Sequence, residues 1–235
     1  MDQVGWDVSA EGWVASQGDE GDWLRKWVLD PVMLEHATGL SPVLDVGCGE
    51  GRFMRALASR GVQVVGLDPT EALLRFARER DPDALLARGV AESLPYRSES
   101  FALVVSYITL VDIVGYRGAI EEMARVLRPA GRLLVATISP FASTGQGWVR
   151  DADGNRLYFP IDDYLAETEQ LLEWKGIRVH NYHRPLSSLM EAFLGAGLIL
   201  RRYLEPTTIA GCPLVDAEAY VRVPYGTAMV WEKPA

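Results

Sequence analysis

The 235-residue chain has only two cysteines, Cys48 and Cys212, and neither stands in a C-x-x-C pair or at a metal-type spacing. That argues against a disulfide framework and a cysteine-ligated metal, and no metal site is expected. No cluster of Lys and Arg is present, and the formal charge is −9, so neither nucleic acid nor an anionic membrane surface is the expected partner. Apolar runs stay well short of the roughly 20 residues of a membrane span. The N-terminus "MDQVGWDVSAEGW" lacks a basic region followed by an apolar core, so no signal peptide is expected. Reduced thiols then point to a cytoplasmic chain. There is no internal repeat and no low-complexity tract. Hydrophobic residues make up 49% of the chain, enough for one large domain with a sizeable core.

What is present is a rhythm. Short apolar runs alternate with amphipathic segments from Pro42 to Ile138. "PVLDVG", "VQVVGLD", "ALLARGV", "FALVVSY" and "GRLLVATI" read as buried strands. Helices are expected over Glu50–Arg60, after a cap at Thr70, and over Tyr116–Leu127, where Ile120, Met123, Ala124 and Leu127 share one face. "LILRRYLEP" and "GTAMVWEK" read as two closing strands, with a helix over Leu186–Gly195 before them. Strands apolar on both sides, joined by helices, imply an α/β fold: a Rossmann-like, doubly wound, mostly parallel seven-stranded sheet with helices on both faces.

Two segments stand outside the rhythm. Residues 1–39 form an expected helical arm, broken near Pro31 and holding four of the seven tryptophans, which suggests a lid. Residues 140–185 are aromatic-rich and irregular, an expected substrate-cap insertion within the domain of residues 40–235. "DADGN" at Asp151 has its glycine too early for an EF-hand loop, so a hairpin turn is expected.

The chemistry centres on "VLDVGCGEGRF", Val43–Phe53. Gly47, Gly49 and Gly51 give G-x-G-x-G, with Arg52 where a dinucleotide loop has its third glycine, and no Gly-Lys-Ser/Thr ending follows. Asp45 and Glu50 would repel a phosphate but would attract an ammonium. Asp68, at the end of the second strand, can accept hydrogen bonds from both hydroxyls of a ribose. A sulfonium joined to an amino acid and adenosine fits this loop better than a phosphate ligand.

Taken together, "VLDVGCGEGRF", "VVGLDPT", "AESLPYRSESFALVVS" and "MARVLRPAGRLLVATI" resemble class I S-adenosylmethionine-dependent methyltransferases, the small-molecule branch typified by ubiquinone/menaquinone methyltransferases. The resemblance implies S-adenosyl-L-methionine as cofactor and S-adenosyl-L-homocysteine as product. It implies that Gly47 and Gly49 contact the methionine part, Asp68 the ribose, and the backbone N–H of Ala91 the adenine. Asp45, Cys48, Pro69, Glu92 and Ser106 complete the candidate cofactor contacts, with Arg25 of the arm as a candidate partner for the cofactor carboxylate. The family often has an acid just before Ala91; this chain has Val90, so the adenine amino group falls to Glu92, backbone or water.

Methyl transfer needs positioning first, and a base where the acceptor is a hydroxyl or a protonated amine. His180 and His183 in "VHNYHRP" and Asp112 in "SYITLVDI" are the candidates. The bland alternatives are that the histidines brace the insertion and that Asp112 caps a helix. The expected activity is methyl transfer to an O or N atom of a small aromatic or heteroaromatic metabolite by a monomer or homodimer. The alternatives are a nicotinamide-dependent oxidoreductase and a non-catalytic cofactor-binding protein of the same fold.

Overall fold

A computed structural model describes residues 4–144 and 147–235. The first three residues of the expected arm and residues 145–146 of the expected insertion lie outside the described residues.

In chain order the strands are β1 (Val43–Val46), β2 (Val64–Asp68), β3 (Leu85–Arg88), β4 (Phe101–Tyr107), β5 (Leu127–Ile138), β6 (Val149–Arg150), β7 (Arg156–Tyr158), β8 (Thr168–Trp174), β9 (Ile177–His183), β10 (Ile199–Leu204) and β11 (Gly226–Glu232). The helices are α1 (Trp6–Gln17), α2 (Asp30–Ala37), α3 (Arg52–Ala58), α4 (Glu71–Arg80), α5 (Tyr116–Val126), α6 (Leu186–Gly195) and α7 (Leu214–Arg222). The main sheet has seven strands in the order β10-β11-β5-β4-β1-β2-β3. β3, β2, β1, β4 and β5 run parallel, and β11 and β10 close the sheet antiparallel, as the alternation implied.

Both faces are covered, which is why the strands are apolar throughout. Leu44, Val46 and Val104 pack against Ile120 and Met123 of α5 and Phe193 of α6. Val43, Leu103 and Val105 pack on the other face against Met33 of α2 and Phe53 and Leu57 of α3. Strand order reverses between β1 and β4, so the loops after these two strands part and leave a crevice at their carboxyl ends.

Two local expectations need correction. The chain does not break at Pro31. A π-helical turn, Arg25–Leu29, runs directly into α2, with the Asp30 N–H bonded to the Arg25 carbonyl. Widening the helix just upstream lets Pro31 sit in the first turn of α2, where its missing N–H leaves no bond unmade. The insertion is not irregular: β6–β7 and β8–β9 are antiparallel hairpins. Lys175 and Gly176 turn β8 into β9, both with positive φ (46° and 80°), the geometry of a tight two-residue turn. "DADGN" is the turn of the β6–β7 hairpin, with Asp151 Oδ1 accepting the Asn155 N–H at 2.8 Å, and no metal-holding cluster exists among the described residues. Helix α7 was not expected from sequence.

The arm divides in two. Leu29, Met33 and Ala37 are fully buried in the core, whereas α1 lies over β9 and α4. Among the described residues no helix is long and apolar enough to cross a membrane.

Candidate active site

The crevice at the strand reversal opens into a cavity of about 850 Å³. Its floor is the β1–α3 loop. Gly47 and Gly49 have φ of +75° and +55°, which only glycine adopts without strain. At Gly47 the demand is also spatial, because an added Cβ would lie 2.2 Å from Thr109 Cγ2 in the loop after β4. At Gly49 the nearest atom to such a Cβ is 4.0 Å away, so the backbone itself faces open space.

Asp68 ties this loop to β2. Its Oδ2 accepts the Gly49 N–H at 2.9 Å, and its Oδ1 accepts the Thr70 N–H at 2.8 Å. Thr70 occupies the N-cap position of α4 as expected, but its side chain makes no cap bond; its hydroxyl is engaged with Asp68 instead. Burial pushes the Asp68 carboxyl above its ordinary pKa in spite of these bonds. Asp45 is buried beside it with Oδ1 unpartnered. Burial, then the charge of Asp68, raise its pKa to about 7 against the opposing pull of Arg52. Glu50 is different: buried, it receives Arg55 at 2.7 Å and Arg80 at 2.6 Å and serves the fold.

The roof comes from the arm and the insertion. Trp6 and Trp13 of α1 meet edge to face at 5.2 Å and line the cavity. Arg25 lines it too, buried, paired with Asp22 at 2.5 Å and 4.9 Å above the Trp13 ring. Ser9 accepts the Arg178 N–H at 3.0 Å and donates to its carbonyl at 3.2 Å, fastening α1 to β9. Trp148, Phe159, Trp174 and Tyr182 add aromatic wall from the insertion. Trp23 is not part of this wall; it stacks on Tyr220 at 4.3 Å.

The remaining candidate cofactor residues divide as follows. Cys48, Pro69, Ala91 and Glu92 line the cavity together with Val90. The Cys48 thiol is buried, which pushes its pKa well up. Ser106 does not reach the cavity. It pairs in register with Val46, whose side chain belongs to the α5 side of the sheet, and it is fully buried there.

Of the three candidate bases, Asp112 and His183 line the cavity and His180 does not. His180 lies on the exposed hairpin, 2.8 Å from Glu169. His183 has both ring nitrogens engaged: Nε2 lies 2.8 Å from the Tyr164 carbonyl and Nδ1 2.7 Å from Ser143 Oγ. The carbonyl can only accept, so Nε2 carries a proton. Asp112 sits in a short 3₁₀ turn, Leu110–Asp112, after β4. It accepts hydrogen bonds from Asn181 Nδ2 at 2.5 Å and from the Trp6 indole, and burial pushes its pKa well above the usual carboxylate range.

Sequence reasoning missed Asn181, although it alternates with His183 on β9 and so shares its face. It also missed the network behind the loop, where Asp30 receives both guanidinium nitrogens of Arg52 at 2.7 and 2.8 Å and the Tyr107 hydroxyl at 2.7 Å. No local pattern joins residues 77 positions apart.

The floor fits S-adenosylmethionine on its own terms. A buried carboxyl oxygen without a partner, glycine backbone open to the cavity and a strand-end carboxylate suit an ammonium, a methionine backbone and a ribose.

A family model described as "Methyltransferase domain" matches residues 44–135. The chain is 30% identical over 207 residues to a demethylmenaquinone methyltransferase of Renibacterium salmoninarum, covering 77% of this chain and 84% of that one. It is 36% identical over 99 residues, 42% of its length, to the biotin biosynthesis bifunctional protein BioHC of Cellvibrio japonicus, but spans only 20% of that protein. The crystal structure of an S-adenosylmethionine-dependent methyltransferase from Mesorhizobium loti superimposes with a TM-score of 0.77 at 25% identity, covering 92% of this chain and all (100%) of that one. The nicotinamide-dependent and non-catalytic alternatives give way to these likenesses. With a loop shaped for a cationic ligand, a strand-end Asp68 and a relative matched along most of both chains, this protein belongs to the class I S-adenosylmethionine-dependent methyltransferases, enzymes that use S-adenosylmethionine as cofactor.

Proposed function

We propose that the enzyme methylates an O or N atom of a small aromatic or heteroaromatic molecule, bound between the cofactor loop, the arm and the insertion. The observation that carries this reading is the aromatic roof, Trp6, Trp13, Trp148 and Phe159, over a cavity of about 850 Å³ continuous with the glycine loop. That size is within the usual range for small-molecule sites, and flat rings suit flat acceptors.

The cofactor supplies a methyl group on a positive sulfur, an electrophile that needs no further activation. The protein's part is to bind, orient and exclude water. Gly47, Gly49 and Asp45 are assigned to the amino-acid end, Asp68 to the ribose, Ala91 and Glu92 to the adenine, and Arg25 to the carboxylate. α1 and the β8–β9 hairpin are assigned the role of lid. Asp112 is the group assigned to take a proton from the acceptor, because it lines the cavity with Asn181 holding its carboxyl in place. His183 braces the insertion. The same reading keeps the acceptor a free small molecule and the working form a cytoplasmic monomer or homodimer.

The test is transfer of labelled methyl groups from the cofactor to a panel of phenols, N-heteroaromatics and aromatic amines, with aliphatic acids and transfer RNA as contrasts. Label on an O or N atom of a ring compound is the expected result. Label only on carbon, on the aliphatic acids or on the RNA would overturn the reading.

A further inference from the structure

The acceptor end of the cavity is short of positive charge. Two cationic side chains line the cavity among the described residues, Arg25 and Arg52, and each is already bound to a carboxylate, Asp22 and Asp30. Arg184 stands behind the turn that carries Asp112. It gives Nη1 to the Leu110 carbonyl at 2.5 Å and Nη2 to the Ile113 carbonyl, with its charge 4.1 Å above the Tyr116 ring. Both carbonyls bracket Asp112, so Arg184 fixes the turn and has no carboxylate of its own.

Asp112 therefore takes hydrogen bonds from neutral donors, the Asn181 amide and the Trp6 indole, while the charges of Arg25 and Arg184 act on it without a direct ion pair. A carboxylate desolvated this way, with both nearby guanidinium groups engaged elsewhere, has no cation in contact to compensate it. The ring of Trp6 stands beside it, and indole faces attract cations. The same wall already shows this preference in Arg25 over Trp13. An acceptor carrying a negative charge would meet Asp112 and Glu92 with no free cation to receive it.

We propose that the acceptor site selects ring compounds bearing a basic nitrogen, bound as the cation with Asp112 as its counter-ion. This rests on the reading of the site as one for small aromatic acceptors and narrows it from O or N to amines; the bound ammonium gives its proton to Asp112, and the freed nitrogen lone pair then takes the methyl group as the carbon–sulfur bond breaks.

Three ligands with one ring and different charge test it: tryptamine, 3-ethylindole and indole-3-acetate, titrated by calorimetry into the full-length protein saturated with S-adenosylhomocysteine. Tryptamine is expected to bind at least about tenfold more tightly than 3-ethylindole, and indole-3-acetate more weakly than either. Asp112→Asn keeps a carbonyl for Trp6 and Asn181 and should bring tryptamine down to the level of 3-ethylindole without changing affinity for S-adenosylhomocysteine. Should that variant lose S-adenosylhomocysteine binding, the ranking on the wild-type protein still decides. Indole-3-acetate or 3-ethylindole binding as tightly as tryptamine would overturn the amine proposal while leaving an aromatic site. Failure of all three to bind would instead count against the aromatic acceptor site itself, and with it this proposal.

Discussion

Gly49 and Asp68 are joined by one hydrogen bond, the Gly49 N–H to Asp68 Oδ2 at 2.9 Å, across 19 residues of sequence. The bond makes the glycine loop and the acid assigned to the ribose a single unit: whatever holds Asp68 also fixes the backbone proposed to carry the methionine part of the cofactor. Asp68→Ala is expected to weaken S-adenosylhomocysteine by about 1–3 kcal/mol, the cost of removing a buried hydrogen-bonding partner. Asp68→Asn, which can still accept from one N–H, should fall between. Calorimetry checks both, and an unchanged affinity for Asp68→Ala would remove Asp68 from the site.

Asp45 predicts an unusual pH dependence of stability. Its folded-state pKa of about 7 lies above the ordinary 3.8, so between these values the folded chain holds a proton that the unfolded chain has released. Stability of the cofactor-free enzyme therefore falls as pH rises from about 4 to about 7 and stays low above that. The full effect is at most about 4 kcal/mol at 1.36 kcal/mol per unit. Asp45→Asn should flatten this slope in urea denaturation compared at pH 5 and pH 8. Added S-adenosylhomocysteine, whose ammonium offsets the charge, should stabilise the wild type more than the variant at pH 8.

At Gly47 two demands coincide, a φ of +75° and the Thr109 side chain 2.2 Å from any Cβ. Gly47→Ala is expected to cost about 1–2 kcal/mol for the left-handed backbone and a further ~1–3 kcal/mol for the overlap. Adding Thr109→Gly should recover only the second part. Urea midpoints of the two single variants and the double variant measure the coupling.

The two histidines should part company. His183→Ala breaks two buried hydrogen bonds and should destabilise the fold by about 2–4 kcal/mol. His180→Ala removes one exposed contact with Glu169 and should change stability by less than about 1 kcal/mol. If His180→Ala instead abolished turnover with the fold intact, the hairpin would have to move to bring it to the acceptor.

The parallel half of the sheet was legible because each strand and helix declares itself locally. That Asp45, Gly47 and Asp68 come together at one cavity was legible because they sit at strand ends in a fixed order. The β8–β9 hairpin was not, because strands that roof a cavity carry no continuous apolar face. Leu171, Trp174 and His180 are all exposed. The one local signal was Lys175-Gly176. Ser106 misled because its neighbour Tyr107 lines the cavity, and in a strand a one-residue difference turns the side chain to the other face. Within the arm, core and lid residues could not be told apart for another reason. Leu29 and Met33 are core residues, but on a helix beside tryptophans they read the same as a lid.

The last prediction concerns that lid. α1 is tied to the rest of the molecule by a few polar contacts: Ser9 and Gly5, both bonded to the Arg178 backbone, Asp7, whose Oδ1 accepts the Ala72 N–H at 3.3 Å, the Trp6 indole on Asp112, and Arg25 over the Trp13 ring. Few buried apolar contacts support it, since Ala10 alone of its apolar residues is fully enclosed. Such an element opens at low free energy. Trp6 and Trp13 are then chymotrypsin sites that are protected only when α1 is closed. Cleavage at these two positions should slow by at least about threefold when S-adenosylhomocysteine is bound, because a ligand that favours the closed form shifts the population toward it. Ser9→Ala, which removes both hydrogen bonds to Arg178, should speed cleavage of the free enzyme without lowering the global melting temperature by more than about 2 °C. Removing residues 1–18 spares Leu24, Leu29 and Met33 and should leave a cooperatively folding core, with faster release of S-adenosylhomocysteine and impaired turnover. Equal cleavage rates with and without ligand, together with unchanged release from the shortened chain, would show that α1 is a fixed wall of the cavity rather than its lid.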